Sequence, residues 1–205
     1  MAKEIEIKCT VAPEEIAKVT SHPLVCGWPA RSQALQNTYY DTPDLDLHAR
    51  RMALRFRKKG DNWLLTVKTA EASHDGLAIR NEWEVAAQPG IFDFSHVDHP
   101  AIRTLLEAWQ PRLMPIFTTD FQRETRQITY GQSRIEMAID QGFIESHGQR
   151  EALCEIELEL QAGELADLNA FASELQQSLP ISPSDISKAL RGYQAYHLAK
   201  ADSVP

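Results

Sequence analysis

Cys154-Glu155-Ile156-Glu157-Leu158-Glu159-Leu160 alternates three glutamates with three aliphatic residues. Successive side chains of a β-strand point to opposite faces, so this stretch reads as a strand with one acidic and one apolar face. Its carboxylates stand about 7 Å apart and repel one another unless cations lie among them. A single strand of this kind is usually a solvated outer face over an apolar core. What decides the fold is whether the rest of the chain repeats the pattern.

It does. Glu4-Ile5-Glu6-Ile7-Lys8 sets three charged groups against two isoleucines, and Leu54-Arg55-Phe56-Arg57 sets two arginines against two large apolar groups. Leu65-Thr66-Val67-Lys68 follows the same rule. Arg80, Glu82 and Glu84 alternate with Asn81, Trp83 and Val85, and Arg134, Glu136 and Asp140 alternate with Ile135, Met137 and Ile139. Strands are expected at residues 3–10, 35–40, 53–58, 63–68, 77–86, 117–130, 134–140 and 151–160. Turn signals fall at Asp41-Thr42-Pro43-Asp44, at Lys59-Gly60-Asp61, at Gly131 and from Gly142 to Gly148. Short helical segments are expected from Pro13-Glu14-Glu15 and after Pro100 as far as Trp109. Residues 164–179 form an amphipathic helix with Leu165, Leu168, Phe171 and Leu175 on one stripe. A last helix is expected to open at Ser182-Pro183-Ser184-Asp185, a capping-box pattern, with Ile186, Ala189, Leu190 and Tyr193 as its core stripe and Lys188 opposite.

The chain has 205 residues, 43% hydrophobic and 24% charged, which fits one compact α+β domain over residues 1–199 with a frayed tail at 200–205. A formal charge of −8, from 29 acids against 21 Lys plus Arg, argues against nucleic-acid binding, which wants a basic face. No apolar run is long enough to span a membrane, and Met1-Ala2-Lys3-Glu4 leads straight into patterned sequence, so neither a membrane segment nor a signal peptide is expected. Cys9, Cys26 and Cys154 have no paired spacing and read as reduced thiols of a cytoplasmic protein. His96-Val97-Asp98-His99 reads as a surface loop rather than a zinc site.

About eight antiparallel strands close into a barrel whose interior admits one elongated small ligand. With the charged faces inward and the apolar faces under helices, nine carboxylates share that interior: Glu4, Glu6, Glu82, Glu84, Glu136, Asp140, Glu155, Glu157 and Glu159. Lys8, Arg55, Arg57, Lys68, Arg80, Arg123 and Arg134 offset much of the charge. The excess of oxygen ligands points to a hard divalent cation, Mg²⁺ or Mn²⁺. Carboxylates for metal beside Arg and Lys for anionic oxygens are the groups that phosphoryl transfer needs.

These residues resemble the CYTH superfamily, the triphosphate tunnel metalloenzymes. Glu4-x-Glu6-x-Lys8 matches its N-terminal signature, and the order continues through Tyr40-Asp41-Thr42, Arg55-x-Arg57, Lys68, Arg80-x-Glu82-x-Glu84, Arg123, Asp140, Glu155-x-Glu157-x-Glu159 and Ser187-Lys188. Thr118-Thr119-Asp120-Phe121, Ile139-Asp140-Gln141-Gly142 and the segment from Ser187 to Tyr193 look most like bacterial inorganic triphosphatases. The resemblance implies an eight-stranded antiparallel tunnel, helices outside, and hydrolysis of inorganic triphosphate to pyrophosphate and phosphate with Mg²⁺ or Mn²⁺. It implies that Glu4, Glu6, Asp140, Glu157 and Glu159 hold the metal, and that Lys8, Arg55, Arg57, Lys68, Arg80, Arg123 and Lys188 bind the triphosphate. Glu4, Glu6, Lys8, Arg57 and Glu157 are expected to matter most for catalysis. The partner is then a small-molecule triphosphate, with no nucleic acid or membrane, and the assembly a monomer or homodimer. An adenylyl cyclase, a thiamine or nucleoside triphosphatase and a polyphosphate-binding module share the same groups and stand as alternatives.

Overall fold

The computed structural model describes residues 2–202. Nine strands form one antiparallel sheet: β1 (Ala2–Val11), β2 (Arg31–Asp41), β3 (Met52–Lys59), β4 (Asn62–His74), β5 (Leu77–Ala86), β6 (Met114–Tyr130), β7 (Ser133–Ser146), β8 (Gln149–Ala162) and β9 (Ile181–Pro183). The order β5-β4-β3-β2-β6-β7-β8-β1 closes on itself through pairing of β1 with β5, giving an eight-stranded barrel. β9 adds three residues along β1, from Cys9 to Val11, beyond the point where β5 leaves it. Closure removes the open edges that a sheet of this size would otherwise present.

Six helices lie outside the barrel: α1 (Ile16–Ser21), α2 (Pro23–Cys26), α3 (Asp46–Ala49), α4 (Pro100–Trp109), α5 (Leu165–Ser178) and α6 (Lys188–Asp202). They cover the apolar face of the alternating strands. Leu168, Phe171 and Leu175 of α5 pack on Ile7, Cys9, Ile135, Met137, Ile156 and Leu158. Leu47 of α3 and Leu106 of α4 pack with Leu54, Phe56, Leu65, Val67 and Trp83. α6 is the exception: its Tyr193 and Tyr196 pack with Phe117, Phe121 and Ile144, which share the inward strand face of Arg123 and Asp140, so this helix meets the barrel at the cavity. Each fully buried Leu, Ile or Phe contributes about 1.5–3 kcal/mol, so the apolar faces hold the barrel together while the charged faces are left for the lumen.

Several local expectations are corrected. β2 begins at Arg31, four residues before the expected start. Two one-turn helices, α2 and α3, were not expected; α3 follows just after the Asp41-Thr42-Pro43-Asp44 turn. α3 exists because the buried Asp41 carboxylate accepts hydrogen bonds from the amides of Thr42 (2.7 Å), Leu47 (2.9 Å) and His48 (2.9 Å). Gly142 lies inside β7, not in a turn; a Cβ there would collide with the Asp120 carbonyl oxygen. Ser182 and Pro183 belong to β9, because β1 offers them a free edge there. The last helix therefore starts at Lys188, capped by Ser187, whose Oγ accepts from the Leu190 amide at 3.1 Å. Ile186 and Leu190 are exposed, and the buried stripe of α6 runs through Tyr193, Tyr196 and Ala199. α6 extends as helix to Asp202, and the expected fraying at 203–205 falls outside the described residues.

Candidate functional site

A cavity of about 1060 Å³ runs through the barrel, lined by the inward faces of its strands and by Ser187, Lys188, Ala189, Leu190 and Tyr193. Glu4, Glu6, Lys8, Arg55, Arg57, Lys68, Arg80, Arg123, Glu157, Glu159 and Lys188 all reach it, together with Glu82, Glu84 and Glu136. Arg134 does not. It is exposed near the Gly131 turn, where β7 slips register against β8, and it balances nothing in the lumen.

At one level three carboxylates and three cations neutralise one another. Lys188 Nζ lies 2.6 Å from Asp140 Oδ2 and 2.9 Å from Glu157 Oε1, and it also binds Glu155. Lys8 Nζ donates to Glu157 Oε1 at 2.9 Å and lies 3.4 Å from Glu155. Arg123 forks onto Asp140 at 2.7 and 2.6 Å and reaches Glu157. Burial alone would push these carboxylates up, but Lys188 and its fellow cations hold Glu157 well below the usual carboxylate range and lower Asp140 as well. Burial likewise opposes the charge on Lys8, and Glu155, Glu157 and Glu6 outweigh it. Oxygens of Asp140, Glu155 and Glu157 lie within 4.8 Å of one another, close enough to hold one metal ion. Their negative charge is nonetheless already met, and Asp140 and Glu155 sit beneath the cations rather than on the cavity surface.

Elsewhere the charges do not cancel. Glu4 takes Lys68 at 2.6 and 2.8 Å, and Arg80 Nη1 lies 2.9 Å from Glu6 Oε1 without the alignment of a hydrogen bond. Glu159, directly across from Glu6 on the neighbouring strand, has no cation in salt-bridge range among the described residues. Burial pushes its carboxyl up to about 7, with Glu4, Glu136 and Glu6 adding to the shift against Lys68. This donor set fits a divalent cation: all-oxygen, mutually repelling, and short of positive charge.

The opposite wall is short of negative charge. Arg57 pairs with no carboxylate among the described residues, and burial together with Arg55 and Arg123 lowers its guanidinium to about 10. Its Nε donates to Asn37 Oδ1 at 2.8 Å, and Asn37 Nδ2 donates in turn to Thr119 Oγ1 at 2.8 Å. Arg55 donates to Tyr39 Oη at 3.3 Å, stands 3.9 Å from Glu82, and keeps a buried Nε without a partner. Unpaired forked donors in a buried setting suit the oxygens of a phosphate chain.

Asn37 and Tyr39 were not singled out by the sequence, and Thr119 was named only within the Thr118-Thr119-Asp120-Phe121 match, with no role assigned to it. β2 shows no charge contrast to mark its inward face, and only the register of Asn37 against Arg57 and Tyr39 against Arg55 brings those side chains to the arginines.

Among known proteins, the chain is 32% identical over 206 residues to an inorganic triphosphatase of Haemophilus influenzae, covering 94% of this chain and 55% of the relative. It thus spans about half the length of that curated relative. A putative adenylyl cyclase from Hippeastrum, described as having a dominant triphosphatase activity, superposes with a TM-score of 0.64 at 18% identity, covering 93% of this chain and 95% of the other. The PH1819 protein of Pyrococcus horikoshii gives 0.58 at 19% identity, with 96% and 99% covered. At these identities the two structures speak for the fold alone. The CYTH domain family matches residues 2–193, and the chain belongs to that family.

Proposed function

We propose that this chain hydrolyses inorganic triphosphate to pyrophosphate and phosphate, using Mg²⁺ or Mn²⁺. The observation that carries the reading is one cavity with two unbalanced walls, an acidic one around Glu159 and a basic one around Arg57. A triphosphate with a divalent cation supplies the missing charge on both sides at once. The name of the Haemophilus relative supports this choice of substrate.

Glu4, Glu6 and Glu159, with Glu136 beside them, would hold the cation. When bound it neutralises charge on the phosphate oxygens and helps orient the attacking water. Arg57 and Arg55 would bind the chain through their unused N–H groups, while Lys8, Lys68, Arg80, Arg123 and Lys188 line the rest of its path. Because Lys188, Lys8 and Arg123 are already fixed by Asp140, Glu155 and Glu157, they meet the developing charge without reorganising. Water attacks the terminal phosphorus in line with the leaving pyrophosphate, and a carboxylate of the acidic wall accepts a hydrogen bond from that water.

The test is phosphate release from tripolyphosphate by wild-type protein and by Glu157→Gln and Arg57→Ala variants. Metal-dependent turnover lost in both variants supports the reading. Full activity in either variant contradicts the site assignment.

A further inference from the structure

Asn37 is completely buried, and so is its partner Thr119. A buried amide is costly unless its donors and acceptor are used. Here the nearest charged group is Arg57, whose Nε–H lies 2.8 Å from Oδ1. A guanidinium nitrogen can only donate, so the amide must present its oxygen to Arg57 and its nitrogen to Thr119, as it does. The two terminal nitrogens of Arg57 then have no partner among the described residues and remain for the cavity that Arg57 lines.

Five other cations of the tunnel make a contrast, while Arg55 stands 3.9 Å from Glu82 and leans on Tyr39. Lys8, Lys68, Arg80, Arg123 and Lys188 each lean on at least one carboxylate within 3 Å. Arg57 leans on a neutral amide. A carboxylate at position 37 would hold the same Nε, but it would also cancel the charge that an incoming anion must find.

We infer that Asn37 is the positioning residue for Arg57: it fixes the guanidinium by Nε, aims both terminal nitrogens into the tunnel and, being neutral, leaves the positive charge for the anionic ligand. Thr119 completes the device by holding the amide in the one orientation that works. The inference rests on the reading of the cavity as a triphosphate site, and it adds a residue outside the charged pattern of the tunnel.

The experiment is a binding cycle, read by calorimetry with tripolyphosphate in EDTA, on wild type, Asn37→Asp, Asn37→Ser, Arg57→Ala and the two double variants, with melting temperatures measured alongside. Asn37→Asp keeps the acceptor and adds charge; Asn37→Ser removes the reach and adds none, and serves if the aspartate variant does not fold. Affinity is expected to fall about tenfold or more in each single variant, as for the loss of a hydrogen bond to a charged group. In the Arg57→Ala background the position-37 changes are expected to cost nothing further. Wild-type affinity in a folded Asn37 variant overturns the inference, and so does a loss of equal size whether or not Arg57 is present, which marks a merely structural residue. If wild type fails to bind tripolyphosphate both in EDTA and in Mg²⁺, the triphosphate reading falls instead.

Discussion

Glu159 and Arg57 carry the opposite imbalances from which the proposed chemistry follows, and each makes a separate prediction. Glu159 is held at about 7, above its unfolded value, by burial and by Glu4, Glu136 and Glu6. A carboxyl raised on folding contributes stability that is complete below its unfolded pKa and lost as pH rises through the folded one. Metal-free protein should therefore lose about 1–3 kcal/mol between roughly pH 5 and pH 8. Glu159→Gln should flatten that slope, and Mg²⁺ should raise the melting temperature of wild type more at pH 8 than at pH 5. Thermal melts in EDTA and in Mg²⁺ at the two pH values check this; an equal slope in wild type and variant contradicts it. Arg57→Lys keeps a charge but loses the Nε bond to Asn37 and the fork, so kcat/KM for tripolyphosphate should fall about 10²-fold or more. Steady-state kinetics would show the opposite if charge alone mattered, with near-normal rates. Asp140 belongs to this scale too. It was expected among the metal ligands, and in the fold it stands beside Glu155 and Glu157 while pairing with Arg123 and Lys188, a pairing that alternation along one strand cannot reveal.

At the scale of elements, the alternation of charged and apolar residues was legible wherever the charges were dense, as in β1, β3, β5 and β8. It failed for β2, whose inward Asn37 and Tyr39 gain meaning only from register with β3. It failed again at Ser182-Pro183-Ser184-Asp185, which suits a helix cap and an edge strand equally; the free stretch of β1 from Cys9 to Val11 decides for the strand. Asp185 then ties the segment before α6 to the β4–β5 turn, accepting from Ser73 Oγ at 2.7 Å and from the Gly76 amide at 3.0 Å. That tie anchors the segment leading into Lys188, whose ammonium is held by Asp140, Glu155 and Glu157. Asp185→Ala should lower kcat/KM about three- to tenfold, the worth of one or two exposed hydrogen bonds, with little change in melting temperature. Rates equal to wild type would show that Lys188 is placed by its carboxylates alone. Gly142 was misread as a turn because its requirement is close approach rather than backbone freedom. Gly142→Ala should cost about 1–3 kcal/mol in denaturant unfolding, since the added Cβ would meet the backbone of β6; unchanged stability would mean that β6 and β7 separate freely.

For the molecule as a whole, closure of the sheet is what turns a striped pattern into a site. On an open sheet the same faces would be solvated and their charges screened. Closed into a barrel, they meet across a cavity in which neither Glu159 nor Arg57 finds enough opposite charge among the described residues. The central claim is that a triphosphate and a divalent cation together supply that charge. The measurement that tests it most directly is phosphate release from tripolyphosphate, ATP and thiamine triphosphate, each in Mg²⁺, Mn²⁺ and EDTA, with cyclic AMP assayed in the ATP reactions. The account predicts rapid release from tripolyphosphate in metal, none in EDTA, and slower turnover of the other two. Cyclic AMP as the main product, or release that persists in EDTA, would contradict it.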